Sequence, residues 1–281
     1  MSETFKKLGT AITFSPTGMA LLKETIRLKH LLNSALLLIH SGEKNKAIET
    51  RLNTIIKDAG LDLNDVDIEW VKGDPGDSII KAAKNNGVDL LIAGALEKEN
   101  FIKFYIGSVA RKIMRQSECS TLIFKSPSEK PAGFKKFYVS TDFSFQSEKT
   151  INKSFELAKK EMADEFVLIR DFRLYGLSSS IVEAGDVDAF ENLRKNIQQE
   201  EEEKMKIFKR ELNLKGIRIR TVCLYGKEGL AARDYALQNN ADIFVVTAPS
   251  TKLKLLDRIF PHEQEYSFEH LPSNLLIIKN I

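Results

Sequence analysis

The chain has 281 residues, 43% hydrophobic and 29% charged, with a formal net charge of +3, an ordinary balance for a soluble protein with room for two domains of about 140 residues. The charge is too mild, and the basic residues too scattered, for a nucleic-acid surface, and no run approaches the roughly 20 apolar residues of a membrane span. Cys119 and Cys223 stand without a CxxC or a nearby histidine, which argues against a disulfide framework or a zinc site. The opening Met-Ser-Glu-Thr-Phe-Lys-Lys lacks a signal-peptide apolar stretch, so a reducing cytoplasm is the expected location.

In chain order, short apolar runs occur at Gly9–Phe14, Ala35–His40, Val66–Val71, Asp89–Ala93 and Thr121–Phe124. Near-continuous apolar runs of this length suit strands covered on both faces. Helical periodicity fills the gaps: Gly18–Leu32 places Met19, Leu22, Ile26 and Leu31 near one face, and Ser78–Asn86 groups Ile79, Ile80 and Ala83. A Pro-, Ser- and Lys-rich stretch, Lys125–Gly133, reads as a linker and divides the chain into units 1–130 and 131–281. Five more runs follow at Phe137–Thr141, Phe166–Ile169, Ile217–Leu224, Asp242–Thr247 and Asn274–Ile278. Strand–helix–strand alternation predicts an α/β fold, a five-stranded parallel sheet in each unit.

The halves repeat. Gly73-Asp-Pro-Gly76 leading to Asp89-Leu-Leu-Ile-Ala matches Gly226-Lys-Glu-Gly229 leading to Asp242-Ile-Phe-Val-Val at an offset of 153 residues. The same offset lays Ser120-Thr-Leu-Ile-Phe124 on Ser273-Asn-Leu-Leu-Ile277. Two copies make a tandem pair rather than a solenoid.

After the fourth strand come Gly94-Ala-Leu-Glu97, nine residues, and Gly107-Ser108-Val109. Glycines let backbone amides approach phosphate oxygens closely, and Ser108 opens a predicted helix over Val109–Gln116 whose N-terminus favours an anion. On this loop, the strand ending in His40, the Gly-x-x-Gly before Ser78 and Asp89 opening strand four, the chain resembles a tandem universal stress protein. The resemblance implies two Rossmann-like domains of the adenine nucleotide alpha hydrolase kind, strand order 3-2-1-4-5, paired through their fifth strands. It also implies a phosphate loop at Gly94, Gly107, Ser108 and Val109, an adenine contact at Gly42, and a first-strand position for holding adenosine. That position is Thr13 in the first unit and Asp142 in the second.

Each unit departs from the family pattern. The first has Glu97 for the loop's second glycine and Thr13 for the aspartate; like charge beside a polyphosphate costs on the order of 1 kcal/mol near a surface. The second keeps Asp142 but carries Phe260, Pro261 and His262 where the Gly-Ser of the loop belongs, which removes the tight turn and one amide donor. ATP is therefore expected in the first unit alone, if at all. His262 is read as an unremarkable loop residue, Trp70 as core, Glu200–Glu203 as a solvated helix face, and Ser178–Ser180 lacks a triad context. No metal ligand set is found. The expected function is a stress-response regulator acting through protein partners with degenerate nucleotide sites. The alternative is an adenosine-nucleotide sensor using the first unit, and an enzyme ranks last because no base, metal or arginine clamp can be named. The internal pair forms a pseudo-dimer; a monomer and a dimer of tandem chains are both open.

Overall fold

The computed structural model describes residues 4–15, 17–97, 104–105, 107–173, 187–248 and 271–279. The first unit runs β1 (Lys7–Ile12), α1 (Gly18–Leu32), β2 (Ala35–Ser41), α2 (Lys46–Asp58), β3 (Asp67–Val71), α3 (Pro75–Asn85) and β4 (Leu90–Gly94). A two-strand ribbon follows, β5 (Leu96–Glu97) against β6 (Phe104–Tyr105), then α4 (Ser108–Gln116) and β7 (Ser120–Phe124). The second unit runs β8 (Lys136–Ser140), α5 (Phe145–Lys160), β9 (Glu165–Phe172), α6 (Val187–Leu212), β10 (Arg218–Tyr225), α7 (Leu230–Gln238), β11 (Ile243–Thr247) and β12 (Asn274–Ile278).

Ten of these strands form one sheet in the order β10-β9-β8-β11-β12-β7-β4-β1-β2-β3. Each half is thus 3-2-1-4-5 and parallel within itself, and the halves meet where β12 pairs antiparallel with β7, Leu276 opposite Leu122. Successive strand residues face opposite sides of the sheet. Leu36 and Leu38 accordingly enter one core with Leu22, Leu28 and Ile56, while Leu37 and Ile39 enter the other with Ile79, Ala83 and Ile113. Both cores continue across the β7–β12 junction.

The repeat is exact at the fourth strands and slips at the fifth. Leu90 pairs with Ser120 and Ile243 with Asn274, so Ser120 corresponds to Asn274, one residue beyond the match with Ser273. The duplicated aspartates have duplicated roles. Asp89 accepts the Lys6 and Lys7 amides, and Asp242 accepts those of Lys135 and Lys136. Each carboxylate thus fastens the start of its unit's first strand.

The glutamate run on α6 is not uniformly solvated. Glu201 is buried, with Arg170 Nε at 2.7 Å and Lys204 Nζ at 2.8 Å. Arg170 stands on β9 beneath the helix, so one glutamate of the four turns inward to meet it. Trp70 is partly buried on β3, its ring edge-on to His40 at 4.9 Å.

Candidate functional site

Above the carboxyl ends of β1 and β4 the first unit encloses a cavity of about 280 Å³, close to the lower end for small-molecule sites. Thr13, Gly94, Gly107, Ser108 and Val109, drawn from distant parts of the sequence, all line it. Ser15, Thr17 and Gly18 at the start of α1 form its near wall, and Pro75 and Ile79 of α3 its far side. Among the described lining residues none is charged, so any attraction for an anion comes from oriented backbone.

That backbone is available. Gly107 is the N-cap of α4 and offers no side-chain cap, and Thr17 likewise leaves α1 without a side-chain hydrogen bond at its start. The first amides of a helix lack intrahelical acceptors and carry the positive end of its dipole. Thr13, Ser15 and Thr17 add hydroxyls in a chain, with Thr13 Oγ1 2.8 Å from Ser15 Oγ and Ser15 Oγ 3.4 Å from Thr17 Oγ1. Glycine at 18 is a steric requirement, since a Cβ there would lie 2.3 Å from the Thr13 carbonyl oxygen.

One sequence expectation for this unit is revised. Gly42 is not a wall of the cavity: its amide donates to the Val71 carbonyl at 3.0 Å, and the β2 residue that lines the cavity is Ser41. Glu97, which stands for the loop's second glycine, has its backbone in β5, opposite Phe104. Next to the site, His40 is buried at the end of β2 between Phe14 and Trp70. Its Nδ1 donates to the Ile12 carbonyl at 3.2 Å, since a carbonyl can only accept. The imidazole is therefore a brace between β1 and β2.

In the second unit Asp142 opens onto a much smaller hollow of about 80 Å³ with Arg170, Asp171, Ser147 and Glu228. Burial opposes ionisation of Asp142, but the Ser144 hydroxyl and amide and the Ser147 hydroxyl outweigh it and hold the carboxyl below its ordinary value. Asp142 Oδ1 accepts the Ser144 amide at 3.0 Å, a local turn ahead of α5. Asp171, which sequence reasoning passed over, is buried and accepts the Gly229 amide at 2.5 Å and that of Ala232 at 3.3 Å. A carboxylate thus occupies the start of α7, as a bound anion would. The signal was in the sequence, since Asp171 lies at the end of β9 as Ser41 does at the end of β2. Phe260, Pro261, His262 and Ser178–Ser180 lie outside the described residues. Among the described residues, no group of His, Cys, Asp and Glu is placed to hold a metal ion, and no helix is long and apolar enough to cross a membrane.

Residues 40–125, from the end of β2 to the end of β7, match the family model described as the universal stress protein family. The stress response protein NhaX of Bacillus subtilis is 33% identical over 81 residues, 27% of this chain and 49% of its own length. A universal stress protein of Methanocaldococcus jannaschii is 31% identical over 88 residues, 29% of this chain and 52% of its own. Across this stretch the chain is similar to the universal stress protein family. The chain spans about half the length of the curated relatives it matches. Over the whole length, a universal stress protein from Archaeoglobus fulgidus has the same fold, with a TM-score of 0.62, 16% identity and 99% of both chains covered. At that identity the likeness concerns architecture alone.

Proposed function

We propose that this chain is a universal stress protein acting as a stress-response sensor, which binds one adenine nucleotide, in the first unit, and is not itself an enzyme. The observation that carries the reading is the convergence of Thr13, Gly94, Gly107, Ser108 and Val109 on one cavity at the uncapped start of α4. Phosphate would sit at the α4 amides, where the dipole coincides with donors that lack intrahelical acceptors. The sugar would meet the Thr13, Ser15 and Thr17 hydroxyls, and the base the apolar side formed by Ile12, Pro75 and Ile79. Among the described lining residues there is no carboxylate or cation to act as a base or to clamp a leaving phosphate, which supports binding over turnover. The second unit is read as scaffold, since Asp171 already fills the start of α7 and the hollow beside it is less than a third of the volume.

The test is a calorimetric titration of nucleotide-stripped protein with ATP and Mg²⁺. One ATP per chain, lost in Gly107→Phe, is the expected outcome. No heat at millimolar ATP would overturn it and favour the second reading, a regulator working through protein partners alone. Glu97 in the loop is the observation that favours that alternative.

A further inference from the structure

The start of α4 faces the first cavity; its other end is held by the second unit. Lys279, just past β12, donates its backbone amide to Ser120 Oγ at 3.2 Å and its ammonium to the Ser117 carbonyl at 3.0 Å. Ser117 is the C-cap of α4, its own amide bonded to the Ile113 carbonyl. A helix C-terminus carries the negative end of the dipole and carbonyls without intrahelical donors, so a lysine there neutralises the dipole and fixes the helix end. The helix between has only nine residues, roughly 14 Å at 1.5 Å per residue. A shift at one end is therefore a shift at the other.

The contact has a partial mirror image. By the strand registers Lys125 is the counterpart of Lys279, and Ser120 of Asn274. The Lys125 amide bonds Asn274 Oδ1 at 3.0 Å, just as the Lys279 amide bonds Ser120 Oγ. The backbone clasp across the β7–β12 junction is thus two-fold, and the ammonium grip on the end of α4 is added to it from the second unit.

We infer that Lys279 is a positioning residue for the first unit's anion site: the second unit, through this side chain on the Ser117 carbonyl, sets α4 at the angle and depth at which its leading amides meet phosphate. The inference rests on the nucleotide reading above. It explains what the second unit contributes to a site whose described lining residues all come from the first.

The experiment compares the full-length wild type with Lys279→Met and Lys279→Arg, titrating each with ATP and with adenosine and recording its melting temperature. Lys279→Met is expected to weaken ATP about two- to fivefold, the effect of losing a charge at a helix end. Adenosine, which presents no phosphate to α4, should bind all three alike, and Lys279→Arg should restore ATP. Equal ATP affinity in wild type and Lys279→Met overturns the inference while leaving the site intact. A parallel loss of ATP and adenosine, tracking a lower melting temperature, also overturns it, because a merely structural role would do that. A wild type that binds neither ligand overturns the inference together with the nucleotide reading, and so separates the two failures.

Discussion

A methyl group on Gly18 would have to displace the Thr13 carbonyl, because strand end and helix start meet there at backbone distance. Gly18→Ala is therefore expected to destabilise the fold by about 1–3 kcal/mol, a usual cost of overpacking, and to weaken ATP with it; urea unfolding and the titration read the two effects. Asp171 makes the other residue-scale prediction. Burial, outweighing the Ala232 and Gly229 amides, holds its carboxyl above the ordinary value of 3.8. The folded chain thus binds this proton more tightly than the unfolded one. Its contribution is complete below the ordinary value and is lost as pH climbs through the raised one. Asp171→Asn retains an acceptor oxygen for both amides and removes the titration, so urea midpoints from about pH 4 to 7 should fall less steeply than in the wild type. Identical slopes would place the dependence elsewhere, with Glu24 and Glu161, whose carboxyls burial also raises. Sequence reading singled out Thr13 by its place at the end of the first strand and Gly107–Val109 as a glycine turn before a helix, residues that the fold brings to one cavity. It missed Asp171 and misplaced Gly42 because the partner of an amide is a tertiary fact.

The inner strands were legible as elements because a strand buried on both faces is apolar almost throughout, whereas the edge strands β3 and β10 are half-buried and mixed in composition and stood out less. The β5–β6 ribbon was not legible, since strands of two residues carry no period. Nor was the slip between β11 and β12, where the shared serine of Ser120 and Ser273 drew the match one residue out of register. The acidic run of α6 hid its inward member for a related reason: polarity says nothing of a partner waiting beneath. This helix also manages the sheet edge. Gln198 Nε2 donates to the Cys223 carbonyl at 3.0 Å and Lys209 Nζ to that of Ile219 at 3.1 Å, both on the outermost strand β10. An open edge is a template for another chain, and capping its carbonyls blunts it. The double substitution Gln198→Ala with Lys209→Ala should raise self-association in sedimentation velocity at unchanged helical content. A strictly unchanged sedimentation profile would show that the bulk of α6, and not these two side chains, protects the edge.

Across the whole molecule, the units are bound by more than strand pairing. Arg27 on α1 reaches Glu161, the C-cap of α5, with Nη1 2.7 Å from Oε1 and 2.9 Å from Oε2. The glutamate side chain is only 2% exposed, and Arg27 lies against the Phe134 ring at 5.0 Å. Removing the cation from a buried pair costs about 3–5 kcal/mol because the remaining charge is stranded. Arg27→Ala should therefore lower stability near neutral pH by close to that amount in urea unfolding, and Arg27→Ala with Glu161→Gln by less. A loss no larger than that of an exposed pair would show that solvent reaches the junction. The pairing of β7 with β12 has a consequence in time as well as space. During synthesis β7 leaves the ribosome some 150 residues ahead of its partner, about 8–30 s at typical elongation rates. For that interval the first unit can be folded on one side and raw on the other, with the hydrogen-bonding rim at Thr121–Ile123 turned to solvent. The nascent chain must be kept from neighbouring copies on the same messenger, whose identical rims could pair before its own second half arrives.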